Sequence, residues 1–434
     1  MATAKNKYAP LIKGLLVTLL CLLVWRIGVH IQIPFVEITK EYTSLSETNI
    51  FGFLDIFAGG ALSQFSVLAL GISPYITSSI VVQMLAMDII PAFKEWSEEG
   101  ESGKAKLNQW TRYIALFLAF VQALALVIAL KVTYSSQLFE YVPDMEYNAF
   151  TYVYMSLVIT AGTAFVLWLS DQISMYGVGN GSSLMIVAGI IAGYPSMFVS
   201  LYNQYLGETV QYAPTAGNII KFIFIVLLFI AIVIAVIWME GLQRKIPIQY
   251  ANRPAAAKIS GKQGSDIPLK INSASVMPVI FASTLLSLPT TILNFVEGES
   301  VWWDIIFNYQ KPIGFALYII LIFVFSFFYS FLQINPDKIA ENLKKQNAYI
   351  IAVKPGEDTA AFISRVLFKI TLLGATYLAV LAALPIVLAQ AFNLSASVQI
   401  GGTSLMIVVG VAIETVKQLK TQTQAQEYHG FMAE

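Results

Sequence analysis

Ten strongly apolar stretches recur along the 434-residue chain, near positions 11–31, 72–90, 113–130, 150–169, 182–201, 219–239, 276–295, 313–332, 366–388 and 403–416. In hydrocarbon no water is present to satisfy a backbone amide, so such stretches must close their hydrogen bonds internally as helices. This makes the chain an all-α polytopic membrane protein. Composition agrees: 57% of residues are hydrophobic and 12% charged, against roughly a quarter charged in soluble domains. The first stretch follows Lys5, Lys7 and Lys13 as a signal peptide would, but no small-x-small cleavage site comes after it and nine more stretches do. It is read as a mature helix.

The basic residues set the orientation. Lys94, Lys104, Lys106 and Arg112 lie between spans two and three; Arg244, Lys245, Arg253, Lys258, Lys262 and Lys270 between six and seven; Lys338, Lys344, Lys345, Lys354 and Arg365 between eight and nine. With ten spans these loops fall on one side together with the N-terminus, and the other side keeps only Lys40, Lys131, Lys221 and Lys311. The positive-inside rule then puts both termini in the cytoplasm. The balanced net charge gives no sign of nucleic-acid affinity, and the single Cys21 excludes an intramolecular disulfide or a cysteine metal site. His30 reads as an interfacial residue and His429 as part of a tail.

One apolar region is broken. From Gly59 to Gln83 the chain carries Gly71 and Pro74, which cost about 1 and 3 kcal/mol against Ala inside a helix. Two helices are expected here, one over 53–66 too short to span and one over 72–90 long enough to cross. Irregular backbone at membrane depth is tolerated only where protein buries it or where it lines a watery cavity.

The chain also repeats. Ser183-Leu184-Met185-Ile186-Val187 and Ser404-Leu405-Met406-Ile407-Val408 are identical strings, preceded by Gly179 and Gly181 in one case and Gly401 and Gly402 in the other. Pro74-Tyr75-Ile76 on span two is matched by Pro278-Val279-Ile280 on span seven. Two five-helix halves, 1–205 and 206–434, account for both pairs. Five is odd, so the second half runs inverted, and the functional site belongs at the interface lined by spans two, five, seven and ten.

Gly59-Gly60-Ala61-Leu62-Ser63, Ala69-Leu70-Gly71-Ile72-Ser73-Pro74-Tyr75-Ile76, Gly100-Glu101-Ser102-Gly103, Thr111-Arg112-Tyr113, Gly179-Asn180-Gly181, Asn335-Pro336, Asn342-Leu343-Lys344-Lys345, Lys354-Pro355-Gly356-Glu357 and Gly401-Gly402-Thr403-Ser404-Leu405 resemble, in order and over nearly the whole chain, the SecY family, the channel subunit of the bacterial Sec protein translocase. The resemblance implies an hourglass of ten helices, a short plug, an apolar waist and a side opening between spans two and seven. Carried over by position, the pore ring is Ile72, Ile76, Ile186, Ile280 and Ile407, with Ser182 where the family usually has isoleucine. The plug is Phe53, Leu54, Asp55, Ile56, Phe57, Gly59, Gly60, Ala61, Leu62 and Ser63.

A channel of this kind answers a physical need. An unfolded chain crossing lipid would strand amides at several kcal/mol each, so it requires a wet path, and an apolar constriction keeps that path from leaking ions by dewetting when idle. Ten leucines gain about 5 kcal/mol in lipid, so a wall that opens sideways sorts signal and transmembrane segments by partition. Thr77, Ser78, Ser79, Gln83, Gln122, Ser283 and Thr284 are the candidate polar contacts of this lateral gate. The loops 240–275 and 333–365, basic and broken by Pro247, Pro254, Pro268, Pro336 and Pro355, are longer than ordinary connections. The resemblance implies that Arg244, Lys245, Arg253, Lys344, Lys345 and Lys354 dock a SecA-type motor ATPase and the ribosome, and that SecE-like and SecG-like small membrane subunits accompany the chain. Lys354 and Lys104-Ala105-Lys106 stand where the family usually has arginine, which keeps charge but loses the bidentate fork.

Other readings fit less well. A secondary solute transporter would place ionisable residues at the midplane of spans two, five, seven and ten, where only Glu414 comes near. No His-Glu-x-x-His, paired aspartates or Gly-x-Ser-x-Gly supports an intramembrane protease, so the chain is read as no enzyme. Gly177-Val178-Gly179-Asn180-Gly181 lacks the spacing of a nucleotide loop and is read as a helix-breaking turn. No cofactor is expected. Gly189 and Gly193 read as close helix packing, and Arg26 as a basic residue facing the bundle or snorkelling outward. The chain is placed in the bacterial plasma membrane.

Overall fold

The computed structural model describes residues 9–34, 37–38, 55, 58–86, 90–134, 139–140, 149–207, 216–250, 265–293, 305–307, 311–392 and 396–432. The apolar stretches become α1 (Ala9–Val29), α2 (Ser73–Leu85), α4 (Glu101–Tyr134), α5 (Ala149–Tyr176), α6 (Gly181–Tyr205), α7 (Ala216–Gly241), α8 (Met277–Leu293), α9 (Pro312–Gln333), α11 (Glu357–Phe392) and α12 (Ala396–Met432). Two short helices, α3 (Pro91–Glu98) and α10 (Pro336–Lys345), lie between them. Among the described residues seven helical segments are long and apolar enough to cross a membrane, those of α1, α4, α5, α6, α7, α9 and α11. The other three expected positions hold α2, α8 and α12.

The broken region departs from expectation at both ends. The helix expected over 53–66 keeps helical residues only at Asp55 and Ala58; Phe53, Leu54, Ile56 and Phe57 lie outside the described residues. From residue 59 to 72 the backbone is a ladder of turns, because Gly59 (φ 71°), Gly60 (φ 84°), Phe65 (φ 44°) and Gly71 (φ 53°) are all left-handed and no helix can pass through them. The helix expected over 72–90 covers only 13 residues, about 20 Å at 1.5 Å per residue. Pro74 sits in its first turn, where a missing N–H costs nothing. It closes on Ala86, and further on Pro91 starts α3 and holds Ile90 extended (φ −117°, ψ 112°).

Helix packing follows one scheme twice. In the first half α2 packs on α4, α4 on α5 and α5 on α6; in the second, α8 packs on α9, α9 on α11 and α11 on α12. Between these series, α2 meets α8 and α6 packs along α12. The identical strings match in burial over their first four residues: Ser183, Met185 and Ile186 on α6 are buried, as are Ser404, Met406 and Ile407 on α12, while Val187 is buried and Val408 partly so.

The two long loops fold together into a small unit. β3 (Gln243–Tyr250) is the centre of an antiparallel sheet between β4 (Ser265–Lys270) and β5 (Ala348–Ile350), with Ile246 opposite Ile267 and Ile248 opposite Ile350. Alternation buries Ile246 and Ile248 and leaves Lys245, Pro247 and Gln249 exposed. Pro247 lies just outside the stretch that β5 pairs, so its missing N–H costs no bond there. The buried side joins Leu269, Leu343, Ala348, Ile350, Ile363 and Ile370 in a core of its own. Asn335 caps α10 by accepting from the Asp337 and Lys338 amides at 3.0 and 3.2 Å, with Asp337 in the first turn and Lys344 and Lys345 in the last. A further antiparallel pair is β1 (Glu37–Ile38) with β2 (Phe139–Glu140).

Ile350, opposite Ile248, carries β5 into the buried side of the sheet. Ile350→Ala is expected to cost about 2–4 kcal/mol of local stability, read as faster protease cleavage within 240–275 and 333–365 at unchanged cleavage elsewhere.

Candidate pore and lateral gate

The five isoleucines expected at the waist arrive on four different helices. Ile72 is the N-cap residue of α2 and Ile76 lies in its first turn; Ile280 holds the same place on α8, two residues after Pro278; Ile186 and Ile407 hold the same place in the repeated strings of α6 and α12. All five belong to one continuous buried cluster, with exposures of 1, 9, 5, 2 and 4% for Ile72, Ile76, Ile186, Ile280 and Ile407. Ser182, the polar position of the expected ring, is partly exposed in the first turn of α6. Its amide (3.1 Å) and its hydroxyl (2.7 Å) both donate to Asn180 Oδ1, so the serine belongs to the cap that starts the helix.

The segment expected as the plug meets the same cluster. Ala58 and Ala61 are part of it, and Leu62 is buried beside it. Asp55 organises the segment: its carbonyl accepts from Gly60 N at 2.9 Å and its Oδ1 from Ser63 N at 2.8 Å, while the Ser63 hydroxyl donates to Gly60 O at 2.9 Å. Burial pushes the Asp55 carboxyl above its ordinary range, with the bonds from Ser63 and Leu62 pulling it down. Gly59 is wedged: a Cβ there would run into the Trp25 ring on α1 and come within 3.2 Å of Gly189 Cα on α6. Arg26 Nη1 donates to Gly59 O at 2.8 Å.

Along the edge of α2 the expected gate residues bond mainly within their own half. Ser78, fully buried, donates to the Thr111 carbonyl of α4 at 2.6 Å. Thr77 donates to Ser73 O (3.3 Å), Gln83 to Ser79 Oγ (3.2 Å) and Ser283 to Ile280 O (2.9 Å), each on its own helix. Gln83 Oε1 is buried with no hydrogen-bond partner among the described residues. Thr284 is buried on α8 and Gln122 half-buried on α4. Next to Thr111, Arg112 pairs with Asp171 of α5 at 2.9 Å, so α2, α4 and α5 are strapped together by polar contacts that spacing alone does not reveal.

The model of the SecY family matches residues 66–416. The chain belongs to the SecY family. It is 43% identical over 418 residues to the protein translocase subunit SecY of Bacillus subtilis (strain 168), covering 96% of this chain and 95% of that one, and 41% identical over 421 residues to that of Staphylococcus carnosus (strain TM300), covering 95% of each. Among solved structures it resembles one described as "The structure of a protein conducting channel" (TM-score 0.66, 18% identity, 96% of this chain and 93% of that one). Another likeness is to canine Sec61 in the ribosome-channel complex (TM-score 0.64, 18% identity, 96% and 93%). The SecY fold is thus shared across distant sequences.

The basic residues expected to dock partners of a SecY protein are brought together by the small sheet. Arg244 and Lys245 are exposed on β3, Lys344 and Lys345 are exposed at the end of α10, and Lys354 follows β5. Arg253 lies outside the described residues. Lys345 pairs with Glu341 at 2.8 Å, a surface contact one helical turn apart. One buried polar link nearby has no mark in the residue pattern: Asn272 donates to Glu240 Oε1 at 2.9 Å, joining the end of α7 to the entry of α8.

Ser78→Ala is expected to lower the stability of the purified protein by about 1–3 kcal/mol, because the Thr111 carbonyl loses its buried donor. Thermal unfolding of the detergent-solubilised protein measures it.

Proposed function

We propose that the chain is the protein-conducting subunit of a bacterial Sec translocase, carrying unfolded secretory chains across the plasma membrane and releasing signal and transmembrane segments sideways into lipid. The observation that supports this best is the gathering of Ile72, Ile76, Ile186, Ile280 and Ile407 in one buried cluster together with Ala58 and Ala61. A ring of branched apolar side chains offers water and ions no partner, and it offers a passing polypeptide none either. The chain's relatives at 41 to 43% identity are translocase subunits, which favours a channel over a secondary solute transporter.

In this reading ten helices form two inverted halves, 1–205 and 206–434, with the ring where they meet. Phe53 to Ser63 is the plug. The seam between α2 and α8 is the lateral gate, and its weak point is that Ser78, Thr77, Gln83 and Ser283 direct their bonds within their own halves. A signal segment then has to displace mainly apolar contacts, which lipid replaces at little cost. The unit built from β3, β4, β5 and α10 is the cytoplasmic platform, presenting Arg244, Lys245, Lys344, Lys345 and Lys354 to a SecA-type motor ATPase and to the ribosome, with Arg253 in the same loop. SecE-like and SecG-like subunits cover part of the lipid-facing surface. Both termini are cytoplasmic, and the chain itself performs no catalysis; energy comes from the motor or from the membrane potential.

The test uses the lone cysteine. With Cys21→Ser as background, Ile76→Cys and Ile280→Cys are expected to crosslink to an arrested secretory chain in membranes, and Leu227→Cys on the exposed face of α7 is not. An absence of crosslinks from both ring positions, with the arrested chain shown to engage the membrane, would falsify the channel. A second expectation concerns the seal: Ser182→Ile lowers ion conductance of the idle complex in planar bilayers while leaving translocation within a few-fold.

A further inference from the structure

Arg26 is the basic residue at membrane depth for which the sequence offered no task. It lies in the last turn of α1, where a cation complements the helix's exposed carbonyls. Its guanidinium also reaches 33 residues along the chain to donate to Gly59 O at 2.8 Å. That carbonyl sits at the start of the turn ladder, where the left-handed Gly59 is wedged between Trp25 and Gly189. Beyond it, the end of α1 continues to grip the same segment. His30 Nδ1 and Gln64 Oε1 are 2.9 Å apart, Ile33 N donates to Phe65 O at 3.2 Å, and Val67 N donates to Ile31 O at 2.9 Å. These bonds run from His30 onward and involve the stem at 64–67, whereas the Arg26 bond reaches further, to Gly59 beside Ala58 and Ala61 of the cluster.

We propose that Arg26 is the latch of the plug: its charge-assisted bond to the Gly59 carbonyl holds residues 58–63 under the isoleucine ring, while the bonds at 64–67 form the fixed hinge from which the segment swings. This rests on the reading of 53–63 as a plug. A carbonyl suits such a latch because the bond forms and breaks without moving a proton. A charge-assisted bond is stronger than a neutral one, so the held state dominates when the channel is idle. A chain entering the waist displaces Ala58 and Ala61, draws Gly59 away, and leaves the guanidinium to water that has entered with it.

The experiment places Ala61→Cys, whose side chain is fully buried in the held state, in the Cys21→Ser background of the assembled complex in its membrane. Labelling by a membrane-impermeant maleimide and ion conductance are both recorded. Arg26→Met is expected to raise the labelling rate roughly tenfold or more, the scale of a lost charged hydrogen bond, and to raise idle conductance with it. Arg26→Lys, which keeps a donor, stays nearer the parent. Labelling at the parent rate in Arg26→Met overturns the latch. If Arg26→Met does not accumulate, Arg26→Gln is read by the same criterion. Gly59→Ala, which forces the wedge apart with Arg26 intact, separates the two readings. A rise in Gly59→Ala alone removes the latch and keeps the plug; raised labelling in both without any rise in conductance removes the plug and keeps only the contact.

Discussion

Every backbone amide at membrane depth must find a partner inside the protein, and the stretch from residue 59 to 72 is where that requirement bears hardest. It is not helical, so it cannot satisfy itself. Its bonds come from within the turn ladder, as Ser66 N to Ala61 O and Gly71 N to Leu68 O, and from the end of α1 through Ile31 and Ile33. Space is made for it by small residues on its neighbours: a Cβ at Gly162 of α5 would collide with the Val67 carbonyl. The irregular segment survives because α1, α5 and α6 enclose it, and those helices are held where they are partly by enclosing it.

The polar bonds are distributed unevenly. Ser78 to Thr111 and Arg112 to Asp171 bind α2, α4 and α5 into one body. On the other side, Ser330 and Thr371 share a buried hydroxyl bond at 2.8 Å between α9 and α11, and Glu240 and Asn272 fasten α7 to the entry of α8. Between α2 and α8 the contact is much smaller than that of α2 with α4. Since α6 packs extensively along α12, the slight α2–α8 contact marks the side on which the two series are weakly joined. Ile72 and Ile76 stand at the start of α2 and Ile280 at the start of α8, the two helices that meet on this side.

Much of this was written in the sequence. The apolar stretches located the helices, and the identical strings at Ser183 and Ser404 proved to be buried alike because equivalent turns face equivalent neighbours. Gly71 and Pro74 marked the break, yet the break is wider than they implied, since the left-handed Phe65 carries no sequence signature. The sheet was hidden for a different reason: Pro247 and Pro268 argue against strands, and β3 becomes one only because β4 and β5 arrive from either side, β5 from a loop about a hundred residues away. Arg26 was visible as a charge but not as a contact. Its partner is a carbonyl, and every residue has one.

The sheet also has a mechanical meaning. β3 runs on directly from α7, β4 leads within a few residues into α8, and β5 straps both to α11 through the core around Ile350 and Ile363. Three helices of the second series thus end in one stiff truss. A load applied to any strand is shared among all three, and α8 receives its part at the end nearest Ile280. A load on β4 is therefore carried straight into the first turns of α8.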